Sequence, residues 1–219
     1  MKQQIATRNT ESELVCFRTL IFIFAFLILF VVCDVGAAKD WSTYRSEITR
    51  SGVASEKVGP RLFLQWKYLP THQPKPAWPM PAGELPRMHN DNAYHVVMAN
   101  SNVYFGCSIT NKVYSIDGNK GDIRWEFFTH GPVRFAPTVY NGSVYAGSDD
   151  GYVYCLDAKD GSLVWKYRAG PSDEKVIGNG RMISLWPVRT SVLVDKGIVY
   201  FAAGVFPYEG LYIFALNAE

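Results

Sequence analysis

Charged side chains are scarce in this sequence. They make up 19% of its 219 residues, and 22 Lys and Arg stand against 20 Asp and Glu, which gives a net charge of +2. No basic run occurs along the chain, so the composition argues against nucleic acid as the main partner. A disordered tail is excluded as well, because 48% of the residues are hydrophobic and can build a core.

Catalytic motifs are also missing. The sequence contains no nucleophile elbow of the G-x-S-x-G type, no glycine-rich phosphate loop and no histidines at zinc-ligand spacing. Residues 117–122 have the residue types of a calcium loop without its glycine and glutamate positions, so a hairpin turn explains them better. Residues 149–151 are likewise interpreted as a strand connection. The sequence therefore predicts no catalytic residue and no metal site.

Cysteine is too scarce to build a disulfide framework. Of four cysteines, Cys16 and Cys33 lie in the N-terminal segment, which leaves Cys107 and Cys155 in the folded part. Stability must then come from packing. We expect both remaining thiols to be small buried side chains, although an exported pair could form a bridge.

The one long apolar run lies near the N-terminus. Residues 20–33 are uncharged and mostly apolar, and they follow basic residues and precede small ones. This layout is typical of a secretory signal peptide, here residues 1–37 with cleavage after Ala37. The run is shorter than the ~20 residues of a membrane-spanning helix. Two alternatives remain open: an uncleaved membrane anchor through residues 20–33, and a lipidated Cys33.

A repeat runs along the rest of the chain. The pattern Val-Tyr-x-Gly at residues 103–106 recurs at 144–147, and a longer pattern at 113–125 recurs at 153–165. A partial third copy spans 187–219 and lacks the closing Gly and Trp. The Asp, Gly and Trp that recur in the first two copies are Asp117, Gly121, Trp125, Asp157, Gly161 and Trp165.

Each full copy contains four short strand signals separated by turn signals. A four-stranded antiparallel sheet in about 40 residues is one blade of a β-propeller. The sequence therefore predicts an all-β fold, an incomplete ring of about three blades over residues 93–130, 131–169 and, in part, 187–219. A leading segment, residues 38–92, would contribute one strand and a proline-rich loop. The third sheet would lack its fourth strand.

The second copy reads G-x-V-Y-x-G-S-x-D-G-x-V-Y-x-L-D-A-x-x-G-x-x-x-W. It resembles the repeat of the pyrroloquinoline quinone (PQQ)-like β-propellers, and D-W-x-x-Y-R at 40–45 with R-S-G at 50–52 is similar to the start of bacterial members. The resemblance implies a bacterial protein, and the signal-peptide layout implies export to the periplasm or beyond. The resemblance also implies that the recurring Asp, Gly and Trp link neighbouring blades.

The family resemblance leaves two functions open. One is a non-catalytic scaffold that binds a protein or an envelope polymer, with no cofactor, no nucleic acid and membrane contact only through the N-terminal segment. The other is part of a PQQ-dependent quinoprotein dehydrogenase with calcium, whose site lies in missing C-terminal blades. Dehydrogenases of the family carry adjacent cysteines, which this sequence lacks. A sugar-binding or hydrolytic propeller is favoured only by the loop aromatics, which are Trp78, Trp186, Phe206 and Tyr208.

The alternating strand directions of a propeller assign its loops to two faces. Three long segments, 68–92, 169–186 and 205–209, fall on one face, and tight turns fall on the other. Long loops on a rigid scaffold usually carry binding. The candidate binding residues on this face are Arg134, Arg181, Trp186 and Arg189.

The sequence Pro-Val-Arg occurs twice on this face, at 132–134 and at 187–189. With Arg181 from an inserted loop, Arg134 and Arg189 would form a basic rim that receives an acidic group of a partner. The alternative is that each arginine pairs with an acidic residue of an adjacent blade.

The signal-peptide interpretation generates the first testable prediction. Protein recovered from an exporting host should lack residues 1–37 by intact-mass measurement, because the small residues before Lys39 permit cleavage. Full-length mass in the membrane fraction would instead support the anchor.

Overall fold

The computed structural model describes residues 40–54, 56–79 and 91–218. They belong to one compact unit, Asp40–Glu219. The predicted signal peptide, with Cys16 and Cys33, lies outside the described residues. Within the described ranges, no helix is long and apolar enough to cross a membrane.

Two four-stranded antiparallel sheets form the first two blades, and in each the strand order follows the chain order. The strands of the first blade are β1 Val97–Ala99, β2 Asn102–Cys107, β3 Lys112–Asp117 and β4 Ile123–Phe128. Those of the second are β5 Thr138–Tyr140, β6 Ser143–Gly147, β7 Tyr152–Asp157 and β8 Leu163–Arg168. Alternating Val and Tyr suit a sheet that is buried on both faces, and both blades are buried in this way along β3 and β7.

The third blade has three strands, joined in the order β11-β12-β13. These are β11 Leu193–Asp195, β12 Ile198–Ala203 and β13 Tyr212–Asn217, with a short 3-10 turn at Pro207–Glu209. A separate hairpin of β9 Lys175–Gly178 and β10 Arg181–Ser184 precedes this blade. The all-β class and the incomplete ring are thus confirmed. The hairpin was missed, because residues 169–186 were interpreted only as a loop.

The first two blades repeat each other in register. Val103 lies opposite Ile116 in the first, and Val144 lies opposite Leu156 in the second. Both blades also have a bulge at the same place between their third and fourth strands. The sequence favours an innermost strand of the second blade from residue 133 onward, but its ladder begins only at Thr138.

Valine side chains fill glycine notches between neighbouring blades. A Cβ on Gly106 would lie 2.1 Å from Cγ1 of Val133, and one on Gly147 would lie 2.5 Å from Cγ1 of Val188. Only glycine therefore allows each valine to reach the sheet before it. Val133 and Val188 are both buried in the clusters between blades.

Tryptophan side chains join the outer strand of one blade to the next blade. Trp125 Nε1 donates to the Ala158 carbonyl oxygen at 3.0 Å, and Trp165 Nε1 donates to the Ala218 carbonyl oxygen at 3.3 Å. The Trp125 ring lies against Gly161, where a Cβ would come within 2.6 Å of it.

The recurring aspartates hold the turns after β3 and β7, which carry Gly121 and Gly161. Asp157 accepts hydrogen bonds from the backbone N–H groups of Lys159, through its side chain, and of Gly161, through its carbonyl. Asp117 does the same for the turn that ends at Gly121. The turns after β3 and β7 are fixed in this way. An indole ring can therefore lie flat against the glycine of each turn.

A third tryptophan, Trp66, belongs to the same series and was missed by the sequence analysis. Trp66 Nε1 donates to the Gly118 carbonyl oxygen at 2.8 Å, and the ring lies against Gly121. The described residues of the leading segment form no ladder beyond an isolated bridge between Trp41 and Met98. The signal in the sequence was Leu-Gln-Trp-Lys-Tyr at 64–68, which matches Leu-Val-Trp-Lys-Tyr at 163–167.

The tryptophan contacts predict unequal losses of stability. Trp125→Ala should lower the free energy of unfolding by about 3 to 5 kcal/mol, because the buried indole leaves a cavity. Trp165→Ala should cost less, since Trp165 is only partly buried. Urea unfolding measures both, with exposed Val164→Ala as the control. Equal losses for all three substitutions would contradict this account.

Candidate functional site

The three long segments contact one another and form what we call the long-loop face, residues 70–79, 169–186 and 205–209. Asn179 of the β9–β10 hairpin donates its side-chain N–H to the Pro76 carbonyl oxygen at 2.8 Å. Trp186 Nε1 donates to the Glu209 carbonyl oxygen at 2.7 Å. The rings of Trp78 and Phe206 meet edge to face at 6.3 Å. Loops from three parts of the chain are therefore tied into one surface.

Beneath this surface, Asp149 holds both arginines of the Pro-Val-Arg repeats. Its carboxylate accepts from Arg134 Nε at 2.6 Å, and from Arg189 Nε at 2.8 Å and Nη2 at 3.1 Å. The Asp149 side chain is 1% exposed. Two guanidinium groups around one buried carboxylate compensate its desolvation.

Arg134 continues this network to the proline-rich loop. Its Nη1 donates to Asp91 Oδ2 at 2.8 Å and to the Lys75 carbonyl oxygen at 2.6 Å. Asp91 in turn accepts from the backbone N–H of Ala77 at 2.7 Å. The buried arginine thus fixes the path of the loop over the second blade.

These contacts bear on the two interpretations of the repeated arginines. Both guanidinium groups are engaged with Asp149, as the ion-pair alternative expects, and Arg134 is buried. Only the Arg189 pair joins different blades, since Arg134 and Asp149 belong to the same repeat copy. The idea of a basic rim with free guanidinium groups at Arg134 and Arg189 does not fit this geometry, because both carry a carboxylate partner already.

The other two candidate residues also make internal contacts. Arg181 donates through Nη1 to Asn111 Oδ1 at 2.8 Å and through Nη2 to the Ile109 carbonyl oxygen at 2.9 Å. This ties the β9–β10 hairpin to the first blade. Trp186 is buried. All four predicted residues therefore build the long-loop face from within.

Large aromatic side chains are among the exposed residues of this face. Trp78 is 42% exposed and Tyr208 is fully exposed, and Phe206 is the half-buried ring partner of Trp78. We call these three residues the aromatic patch. The Arg189 guanidinium carbon lies 5.8 Å from the Trp78 ring centroid, which places a cation behind the indole. These aromatics are recognisable in the sequence, but the contact between Trp78 and Phe206 is not predictable from it.

The buried carboxylates beneath this face do not fit a calcium site. Asp149 is occupied by two arginines, and Asp91 by Arg134 and a backbone N–H. Asp150 accepts from the His130 and Tyr152 backbone N–H groups and from the Tyr154 hydroxyl. Across residues 40–54, 56–79 and 91–218, no three metal-ligating side chains converge.

Two free buried thiols lie in the first two blades. Burial acts to raise the pKa of the Cys107 thiol, but hydrogen bonds from Thr110 and Tyr94 outweigh it and hold that pKa below its usual value. Burial raises the pKa of Cys155. The two cysteines were expected to be buried, and they are not bridged.

The repeated sheets, the glycine notches and the tryptophan links define a PQQ-like β-propeller. Residues 66–205 match the family described as outer membrane protein assembly factor BamB. The chain belongs to that family. It is 30% identical over 100 residues to the outer membrane protein assembly factor BamB of Taylorella asinigenitalis, a match that covers 44% of this chain and 24% of the relative.

Further similarities are local or concern the fold. A match to tetrathionate hydrolase of Acidithiobacillus ferrooxidans is 45% identical over 65 residues and covers 30% of this chain and 12% of that protein. The quinohemoprotein alcohol dehydrogenase of Comamonas testosteroni superimposes with a TM-score of 0.59 at 20% identity, over 84% of this chain and 26% of the other. The chain spans a quarter or less of the length of the two curated relatives, BamB and tetrathionate hydrolase.

The Asp149 network generates a prediction about stability. Asp149→Asn should lower the free energy of unfolding by about 3 to 5 kcal/mol, because two arginines would lose their buried carboxylate. The matched control is Asp173→Asn, whose pair with Lys175 is exposed and 3.8 Å long; it should cost less than about 0.5 kcal/mol. Urea unfolding measures both, and similar values would refute a central role for Asp149.

Proposed function

We propose that this protein is an exported, non-catalytic scaffold whose long-loop face binds another protein. The observation that carries the proposal is the aromatic patch, Trp78, Phe206 and Tyr208, on loops that are tied to the blades from below. Large exposed aromatic side chains at a fixed position favour protein binding, because they bury much area at little entropic cost.

The rigidity of the loops supports this proposal. Arg134, Arg181 and Trp186 each use their polar atoms on a neighbouring segment, so the loops that carry the patch are held in place. A partner then pays little to order the surface that it binds. Membership of a family described as an outer membrane protein assembly factor agrees with a binding role in the bacterial envelope.

The alternative is part of a quinoprotein dehydrogenase. Quinohemoprotein alcohol dehydrogenases share the fold at 20% identity or less, and that similarity carries no activity to this chain. Adding PQQ and calcium to the protein and recording quinone absorbance and dye reduction separates the two functions. The scaffold proposal expects neither signal, and dye reduction that depends on both additions would favour the dehydrogenase.

Binding itself can be tested with a photo-crosslinking amino acid at Tyr208 in an exporting bacterial host. We expect a discrete protein adduct from this position and none from Lys196, an exposed turn residue on the opposite face. A heterogeneous adduct that resists protease would instead identify an envelope polymer. No adduct from either position would contradict the proposal.

Affinity for the captured partner gives the quantitative form of this prediction. Tyr208→Ala and Trp78→Ala should each weaken binding about 30-fold, because central aromatic side chains commonly contribute ~2 kcal/mol. The Tyr208 side chain is fully exposed, so its loss should leave the melting temperature unchanged. Unchanged affinity in both variants would exclude the aromatic patch as the contact surface.

A further inference from the structure

The aromatic patch carries two hydrogen-bond donors that the rest of the described chain leaves unused. Among the described residues, the indole N–H of Trp78 has no acceptor and the hydroxyl of Tyr208 has no partner. We propose that the aromatic patch binds a proline-rich segment of a partner protein in the polyproline II conformation. This inference rests on the proposed function, because it names the chemistry of the partner.

Trp78 differs from four other tryptophans in how its indole N–H is used. In those four, Nε1 donates to a backbone carbonyl oxygen at 2.7 to 3.3 Å; they are Trp66, Trp125, Trp165 and Trp186. An indole N–H can only donate, and it usually finds an acceptor where water is removed. Since Trp78 is 42% exposed, a carbonyl oxygen of a partner can reach it.

The inner side of the Trp78 ring is already covered. The Arg189 guanidinium carbon lies 5.8 Å from the ring centroid, and its side chain is only 10% exposed. The ring of Phe206 meets the indole at an interplanar angle of 86°. Because these contacts come from within the protein, they leave the outer side of the indole for an apolar group of a partner.

The second donor, Tyr208, stands on a short turn that is fastened at both ends. The Glu209 N–H donates to the Phe206 carbonyl oxygen at 3.0 Å, and the Glu209 carbonyl oxygen accepts from Trp186 Nε1 at 2.7 Å. Tyr208 follows Phe206 by two residues, so their Cα atoms are at most about 7.6 Å apart. A polyproline II helix advances about 9 Å in three residues. A segment of one or two such turns can therefore contact both donors.

The chemistry of the patch selects a proline-rich segment over a partner strand. Proline has no backbone N–H, and the polyproline II backbone has no internal hydrogen bonds, so such a segment offers free carbonyl acceptors and apolar rings. Addition of a strand would need an unpaired strand edge instead, and residues 70–79 and 205–209 contain no strand. Aromatic side chains with free donors match the first ligand, which is also ordered before it binds.

The charge beside the patch indicates which residues flank the prolines. Glu209 is exposed and adjacent to Tyr208, and within the part of the chain that the structure describes its carboxylate has no cationic partner. The arginines beneath the face are already paired with Asp149. The free charge next to the patch is therefore negative, and we expect an arginine or lysine beside the prolines of the partner.

The test titrates the chain, recovered from an exporting host and isotope-labelled at nitrogen, with the synthetic peptide Arg-Pro-Leu-Pro-Pro-Leu-Pro. The Trp78→Phe variant identifies the indole N–H signal of Trp78 in the NMR spectrum. We expect the peptide to move this signal, while the signal of the buried Trp125 stays in place. A matched peptide with alanine at every proline position should move neither. No shift of the Trp78 signal, or equal shifts with both peptides, would overturn the proposal.

Calorimetric titration measures the two polar contributions. Trp78→Phe keeps an aromatic ring and removes the N–H donor, so it should weaken binding of the peptide about fivefold. Glu209→Gln should weaken it about threefold, and it should not weaken a peptide with leucine in place of arginine. Lys196→Ala, on the opposite face, is the control and should change nothing. Unchanged affinity in Trp78→Phe, or an equal loss for both peptides in Glu209→Gln, would contradict the assigned contacts.

Crosslinking from Tyr208 separates this inference from the proposed function. A discrete protein adduct together with a peptide that leaves the Trp78 signal in place would overturn the proline-rich ligand and retain the binding role. Absence of both the adduct and the shift would overturn both. A shift that the captured partner abolishes by competing with the peptide is the result that we expect.

Discussion

The structure depends on one repeated contact, in which a tryptophan lies against the end of the third strand of the following blade. Trp66, Trp125 and Trp165 each donate to the carbonyl oxygen of the residue just after such a strand, and the first two rings lie flat against a glycine. A single sheet cannot bury both of its faces. Each blade therefore becomes stable only through its neighbour, and the repeat in the sequence is a repeat of this interface.

The valine and glycine pairs fix the opposite edge of the same interface. The chain comes close to the preceding sheet just before each innermost strand, because Val133 packs against Gly106 and Val188 packs against Gly147. In both cases the next residue is the arginine that binds Asp149. Side chains alternate along an extended chain, so burying the valine turns the arginine toward the long-loop face. Packing between blades and the polar network are thus linked, because the valine and the arginine are adjacent in the chain.

Much of the fold was predictable, because the repeat carries its own turn and strand signals. Asn141 and Gly142 adopt positive φ angles in the hairpin where the sequence placed a tight turn. The β9–β10 hairpin was not predicted, since its residues have no counterpart in the other copies. Trp66 was missed for a different reason: the segment around it lacks the three strands that normally identify a copy.

The candidate site was less predictable than the fold, because charge partners depend on distant parts of the chain. Asp149 stands in a turn-like sequence, and nothing local indicates that it lies between Arg134 and Arg189. Once it does, the two arginines cannot serve as free anion receptors without breaking buried pairs. The buried charges therefore hold the loops of this face in place, and any contact with another molecule falls to its exposed side chains.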